Sequence, residues 1–184
     1  MKWTTTQLIA CGALGVLTLI LTLPGVFVSV VLQIPGSSGL FAGVIGAAMA
    51  VLITFIFKKF GAATLVFSIY GILAIPTPIG PPGFLPKVLA FLITGVILDV
   101  VYLFLKNETK TAAIVIGSIS LVMSSTIFVL LYLVFIPQLA SVYTSIFYIL
   151  LPFATVMGSI GGMLGYLVYN KIKKTTTIIR IQNR

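Results

Sequence analysis

Six runs of apolar residues, separated by short polar or Pro/Gly turns, constrain this chain more than any other feature. An α-helix rises about 1.5 Å per residue, so roughly 20 apolar residues cross a hydrocarbon core about 30 Å thick. The sequence therefore predicts an all-α polytopic membrane protein, a six-helix transmembrane bundle forming one domain over 1–184. The predicted spans are about 7–23, 39–57, 62–75, 86–105, 111–136 and 142–169, followed by a basic cytoplasmic tail at 170–184.

The positions of the charged residues support this number of spans. The chain has 11 Lys and Arg and two acids in 184 residues, whereas a soluble domain charges about a quarter of its positions. Six spans place ten of the 11 basic residues on the side of both termini and leave only Lys87 on the other. Basic residues concentrate on the cytoplasmic side of membrane proteins. We therefore expect a multi-pass protein of the cell membrane with both termini cytoplasmic, and no nucleic-acid binding.

The sequence lacks the residue combinations that catalysis or metal binding needs. It has no His and a single Cys, Cys11, so a His-assisted nucleophile and a paired-cysteine metal site are both excluded. Its only acids are Asp99 and Glu108, and Glu108 stands in a turn between lysines. One membrane carboxylate cannot form a two-carboxylate acid–base site or hold a catalytic metal alone. We expect no enzymatic activity, no cofactor and no metal ion.

Asp99 is the strongest single candidate for a functional residue, because an ionisable group inside a membrane span is costly and is a functional candidate by default. It lies in the fourth run, toward the predicted cytoplasmic end. Two roles stay open at this point. Asp99 is either functional, or a structural acid that bonds hydroxyls of neighbouring helices or reaches the inner headgroups.

The third run, 62–75, is short for a span and leads into a loop with five prolines at 76–86. Irregular backbone at membrane depth needs protein or water around it, so we expect this loop and 26–38 to form a lid over an outward-facing cavity. The alternative is an ordinary extracellular turn, with Lys87 reaching lipid headgroups. The candidate substrate-binding residues are the polar groups near the outer side: Gln33, Ser38, Thr77, Lys87, Gln138, Tyr143 and Tyr148.

Small residues recur at helical spacing in the second and sixth runs. Small residues three or four apart let two helix backbones approach closely in lipid. The sequence therefore predicts that the second and sixth helices pack on each other. The residues assigned to this packing are Gly43, Ala47, Gly158, Gly161 and Gly165.

Three consecutive stretches between Lys58 and Tyr102 resemble a known family. They read FGAATLVFSIYGILA, then a loop with GPPGF, then a span ending in TGVILDVVYLFL. This pattern resembles the substrate-binding S components of energy-coupling factor (ECF) transporters. The resemblance implies a subunit that binds a small vitamin or related metabolite from outside. Delivery inward would then involve a transmembrane coupling protein and two ATPases, so that ATP is used by the partners and not by this chain.

The family often carries an alanine pair on the first helix for docking the coupling protein. This sequence lacks the pair, and Cys11 and Gly15 are the nearest small-residue substitute. Two other functions remain open, a stand-alone small-solute transporter and a non-transporting membrane assembly subunit. The almost purely apolar middles of the runs argue against a continuous pore, which would need several polar groups at mid-span.

Overall fold

The computed structural model describes residues 3–32, 37–79, 83–105, 107–135 and 137–182. Within these ranges the chain is predominantly helical and contains no β-strand. The helices are α1 (Thr5–Leu32), α2 (Ser37–Phe57), α3 (Ala62–Leu73), α4 (Phe84–Phe104), α5 (Lys110–Phe135), α6 (Ala140–Ile172) and α7 (Thr176–Gln182), and a 3₁₀ turn at Pro137–Leu139 precedes α6.

Four of the described helices are long and apolar enough to cross a membrane. These segments are Thr5–Phe27 in α1, Leu85–Phe104 in α4, Lys110–Phe135 in α5 and Phe147–Ile172 in α6. Shorter apolar segments occupy Phe41–Phe57 in α2 and Ala62–Leu73 in α3. The prediction of an all-helical chain with membrane-compatible helices is confirmed for the described residues.

α1 begins at a capping box and continues past the point where the sequence predicts its end. The N–H of Thr4 donates to Oε1 of Gln7 over 3.2 Å, and the N–H of Gln7 donates to Oγ1 of Thr4 over 3.3 Å. The predicted first span ends at residue 23, directly before Pro24-Gly25, but α1 runs through Pro24 to Leu32. Breaking the helix would leave backbone groups unpaired in lipid, and Gly25 allows close packing of α1 on Phe41 of α2.

α2 lies at the centre of the bundle. It contacts α1, α3, α4, α5, α6 and α7, and every residue from Val51 to Phe57 is buried. Around it the other helices follow the order α1, α3, α4, α5 and α6 through their mutual contacts. The turns after α2 and α4 and the short helix α7 come together at one end of the bundle.

The glycines of α6 divide their contacts between two neighbouring helices. A Cβ on Gly161 would overlap the carbonyl oxygen of Val44 and lie 2.7 Å from Cβ of Ala47 on α2, and Gly165 faces the same helix. Gly158 instead faces α5, where a Cβ would lie 2.5 Å from the carbonyl oxygen of Gly117. Residues four apart share a helix face, so Gly161 and Gly165 face α2. Gly158 points to α5 because it belongs to the adjacent face.

The C-terminal segment is not a free basic tail over its described part. α6 extends to Ile172, and α7 then folds back beneath the bundle, where Ile178 and Ile181 are buried. The side-chain amide of Gln182 donates to the carbonyl of Phe55 at the end of α2 over 3.2 Å. Burial of these apolar side chains is the physical reason that α7 docks despite the lysines preceding it.

Candidate functional site

A cavity of about 140 Å³ lies inside the bundle between α2, α3, α4 and α5. Val26 of α1 and Ile79 of the loop after α3 also line it. Ligand sites are typically concave and mostly apolar, with a few placed polar groups. The cavity is therefore the candidate binding site.

Four aromatic rings form one wall of the cavity. Phe67 and Tyr70 lie three residues apart on α3 and so share a face, while Phe91 comes from α4 and Phe128 from α5. Their ring centroids form a chain with spacings of 6.3, 4.5 and 5.6 Å in edge-to-face orientations. The hydroxyl of Tyr70 lies 3.3 Å from Oγ1 of Thr22, which ties this wall to α1.

Serine side chains of α5 form a second wall. Ser120, Ser124 and Ser125 all line the cavity, and Ser120 is only 3% exposed. Ser124 donates to the carbonyl of Ser120 over 2.7 Å and contacts Oγ1 of Thr94 on α4 at 3.3 Å. These contacts fix the serine wall against the helix that carries Phe91.

Glycines of α2 leave the space that the cavity occupies. A Cβ built on Gly46 would meet no atom within 4 Å, and one on Gly43 would lie 2.6 Å from Cδ1 of Leu121 on α5. Gly43 and Ala47 were assigned to helix packing from the sequence, and both line the cavity. Gly43 thus faces α5 and not α6, since the serine-bearing face of α5 lies opposite it.

Lys87 does not face the cavity. Its side chain is 3% exposed, and its ammonium donates to the carbonyls of Ala74, Ile75 and Thr77 at 3.1, 3.2 and 2.5 Å. An ammonium has three N–H donors, so these carbonyls use all of them. α3 ends at Leu73, so these carbonyls belong to the turns that follow the helix and are not paired within it. In this structure Lys87 stabilises the end of α3, where the sequence predicted a substrate contact.

The other predicted substrate-binding residues do not converge on one site. Thr77 is a turn residue whose hydroxyl donates to the carbonyl of Ala74 over 2.7 Å. Gln138 is exposed in the 3₁₀ turn and Tyr148 is 78% exposed on α6, so neither lines the cavity. Outside the described part of the structure lie Gln33 and the side chains of Ser38 and Tyr143.

Asp99 caps the N-terminus of α3 from α4. Its carboxylate accepts hydrogen bonds from the N–H of Ala63 at 3.1 Å, the N–H of Thr64 at 2.9 Å and the hydroxyl of Thr64 at 2.5 Å. The N-cap residue itself is Gly61, which has no side chain to offer. Gly95, one turn earlier on α4, permits the approach, because a Cβ there would lie 2.7 Å from Cα of Thr64. This is the geometry of the structural acid, the second of the two roles left open above.

Cys11 and Gly15 are inside the bundle and not on its surface. Cys11 is 1% exposed, and a Cβ on Gly15 would lie 2.8 Å from Cγ2 of Ile69 on α3. These small residues let α1 pack closely on α3. A partner cannot reach them in this structure, because they are buried. The exposed face of α1 carries Ile9 and Ile20 instead.

A polar cluster joins the turns at the end of the bundle opposite the cavity loop. Lys58 and Glu108 form an ion pair, and the hydroxyl of Tyr169 donates to Glu108 over 2.6 Å. Burial alone would raise the pKa of Glu108. The hydrogen bonds from Lys58 and Tyr169 and the positive charge of Lys58 outweigh it, so the pKa of this carboxyl lies below its usual value.

Gln7 completes the same end of the bundle. It is fully buried, its amide donates to the carbonyl of Ile181 over 2.9 Å, and it accepts a hydrogen bond from Lys59 over 2.8 Å. Together with Gln182 it fixes α7 against α1 and α2. This end of the bundle is therefore closed by specific polar contacts.

The described lining of the cavity consists of aliphatic, aromatic, glycine and serine residues. Its described lining contains neither an acid nor a base. Sequence reasoning missed its main residues, although Phe67 with Tyr70 and Ser120 with Ser124 do recur at helical spacing. No known family model, curated protein or solved structure matches this chain.

Proposed function

We propose that this chain is the substrate-capture subunit of a prokaryotic ECF-type importer. It binds a small vitamin or related metabolite from outside and delivers it inward with a transmembrane coupling protein and two ATPases, which use the ATP. The observation that carries this proposal is the cavity of about 140 Å³ between α2, α3, α4 and α5. Ile79, from the proline-rich loop, and Val26 cover it.

The ionisable residues favour capture over independent transport. A proton-coupled carrier or a channel needs charged or polar groups along its path. The two ionisable side chains buried in α4, Asp99 and Lys87, are both engaged with the ends of α3. Neither is directed into the cavity. A mostly apolar site without an ionisable lining residue fits the capture of a small molecule better than independent transport.

The proposed membrane arrangement has six crossings, with both termini in the cytoplasm of the cell. α3 has 12 residues and covers about 18 Å, so the third crossing is completed by the loop over 74–79. The described basic residues near the α2–α3 and α4–α5 turns, Lys58, Lys59 and Lys110, lie at the end of the bundle where α7 docks. The positive-inside rule places that end in the cytoplasm.

Single-cysteine labelling tests this orientation. Cys11 is replaced by Ser, and Thr77→Cys or Asn107→Cys is introduced one at a time. A membrane-impermeant maleimide on intact cells should label position 77, whereas position 107 should react only after the membrane is opened. Labelling of both positions from the same side contradicts the six crossings.

Mass spectrometry of the purified full-length protein tests the capture function. The wild type should carry a specific small molecule, and Gly46→Leu should lose it because the new side chain fills the cavity. Gly12→Leu is the matched control, since Gly12 also has open space around a Cβ but does not line the cavity.

Uptake measurements then distinguish the three functions. Cells that express the chain with a coupling protein and ATPases should accumulate the identified molecule only while ATP is available. Uptake by the chain alone would show a stand-alone transporter. A wild-type protein without any bound molecule and without uptake would show an assembly subunit.

A further inference from the structure

Two serine hydroxyls in the cavity have no hydrogen-bond partner among the described residues. Most Ser and Thr hydroxyls inside the described helices donate to a carbonyl three or four residues earlier, as Thr94 and Ser118 do at 2.8 and 2.9 Å. Ser120 and Ser125 make no such bond, although Ser120 is 97% buried, being 3% exposed. The cavity is the space that their hydroxyls can reach.

An unpaired hydroxyl that lines a cavity can hydrogen-bond a molecule that enters it. Buried polar groups in proteins are mostly hydrogen-bonded. No fully buried side-chain N or O atom of the described residues lacks a partner, so the oxygen of Ser120 remains accessible from the cavity. A ligand that donates or accepts a hydrogen bond there would satisfy it.

The lining restricts the charge of this ligand. None of the described lining residues is charged, and Lys87 and Asp99 are engaged at the ends of α3 and do not line the cavity. A charged molecule that enters the cavity would lose its hydration and find no counter-charge there. This desolvation costs far more free energy than a hydrogen bond to serine contributes. The cavity therefore selects against both anions and cations.

The size and the aromatic wall restrict its shape. An apolar cavity of about 150 Å³ accommodates one benzene molecule, and this cavity measures about 140 Å³. The rings of Phe67, Tyr70 and Phe91 offer faces and edges to a flat partner, which aromatic groups prefer at centroid distances of about 4.5–7 Å. A single ring fits this space, whereas a fused bicyclic system exceeds it.

We infer that the cavity binds an uncharged, single-ring molecule whose polar substituent hydrogen-bonds the hydroxyls of Ser120 and Ser125. The inference deepens the proposed function, on which it rests for the identity of the cavity as the capture site. It also names what the site excludes, namely charged compounds and larger fused rings.

Three probes of nearly the same shape test the charge selection: benzamide, benzoate and benzamidine, which are neutral, anionic and cationic at neutral pH. Calorimetric titration of the full-length protein in lipid nanodiscs should show saturable binding of benzamide. Benzoate and benzamidine should bind at least tenfold more weakly. Phenol serves as a second neutral probe with a different polar group.

Variants of α5 test the role of the hydroxyls. Ser120→Ala should weaken benzamide binding about fivefold, and the double variant Ser120→Ala/Ser125→Ala further, because one neutral hydrogen bond contributes about 1 kcal/mol. Ser118→Ala is the matched control on the same helix. Its hydroxyl lies 2.8 Å from that of Ser159 on α6, outside the cavity, and its loss should leave the affinity unchanged.

Three results would overturn the inference: no saturable binding of either neutral probe, equal or tighter binding of a charged probe, or unchanged affinity in the double variant. Failure of the proposed function looks different. If a molecule co-purifies with the wild type and not with Gly46→Leu but is charged or fused-ring, only the ligand class is wrong. If benzamide binds as expected but no ATP-dependent uptake exists, the ligand class stands and the importer function falls.

Discussion

Asp99 and Lys87 lie 12 residues apart on α4 and hold opposite ends of α3, which is itself 12 residues long. The stretch of α4 from Lys87 to Asp99 and the helix α3 both rise about 18 Å. Because the two helices are antiparallel, each of these side chains lies beside one end of α3. The carboxylate accepts from the N–H groups that begin α3, and the ammonium donates to carbonyls of the turn that directly follows it. Both charges have the sign that the helix dipole favours at each end.

This relationship explains how a short helix is tolerated in a membrane protein. A helix of 12 residues leaves four N–H and four C=O groups unpaired, and lipid cannot satisfy them. The side chains of α4 supply an acceptor for the N–H groups of Ala63 and Thr64 and a donor for the carbonyls of the turn that follows α3. The same contacts fix the loop that brings Ile79 into the cavity, since the carbonyl of Thr77 accepts one of the Lys87 hydrogen bonds.

Replacing Asp99 should destabilise the bundle. Asp99→Ala leaves two backbone N–H groups and one hydroxyl without their acceptor, so we expect a loss of about 2–4 kcal/mol in the free energy of unfolding. Asp99→Asn keeps one acceptor oxygen and should lose less. The measurement is unfolding in mixed detergent micelles followed by circular dichroism. Val100→Ala, at an exposed neighbouring position, is the control. Equal stability of Asp99→Ala and wild type would contradict the capping role.

Replacing Lys87 should act on stability and on the loop. Lys87→Met keeps the length of the side chain but removes three donors, and we expect a loss of about 2 kcal/mol because the carbonyls of Ile75 and Thr77 lose their donor. The loop should also open, which a faster maleimide reaction at Thr77→Cys would detect. A variant with wild-type stability and loop reactivity, but weaker ligand binding, would return Lys87 to the substrate-binding role predicted from the sequence.

Gly161→Leu should disrupt the contact of α6 with α2. A side chain at this position collides with the backbone at Val44 and with Ala47, and overpacking of this kind costs about 1–3 kcal/mol or more. Folded yield and melting temperature are the measurements. Gly12→Leu introduces the same side chain where a Cβ meets no atom within 4 Å, so it should fold normally. Similar melting temperatures for both variants would argue against close packing of these helices.

Acidification should weaken the polar cluster around Glu108. Its pKa is lower in the folded chain than its ordinary value of 4.5, so its stabilisation is present above that value and is lost as pH falls through the folded pKa. Wild type should therefore lose more stability than Glu108→Gln between about pH 5 and pH 3.

The difference between the two proteins should stay below about 1 kcal/mol, because exposed ion pairs are screened by solvent. The side chains of Lys58 and Glu108 are 39% and 32% exposed, respectively. Melting curves of both proteins at each pH provide the measurement. Parallel pH profiles for wild type and Glu108→Gln would show that the ion pair does not contribute.

The sequence by itself determined the apolar helices, the short third run and the importance of Asp99. Runs of apolar residues of membrane-crossing length give helices because a chain in lipid must pair its backbone internally. The brevity of 62–75 follows from the prolines after it, and α3 indeed ends at Leu73. An acid inside an apolar run can be recognised from the sequence. It attracts attention because placing its charge in a membrane span is costly.

Only the tertiary structure decided which faces meet. Interior and lipid-facing positions are both apolar in a membrane helix, so the sequence carries little periodicity to show that Phe67 and Ser120 face a cavity or that Gly15 faces α3. The partners of Lys87 and the continuation of α1 through Pro24 likewise depend on neighbouring helices. Local sequence specifies a helix, whereas close packing between distant segments selects the face that each helix presents.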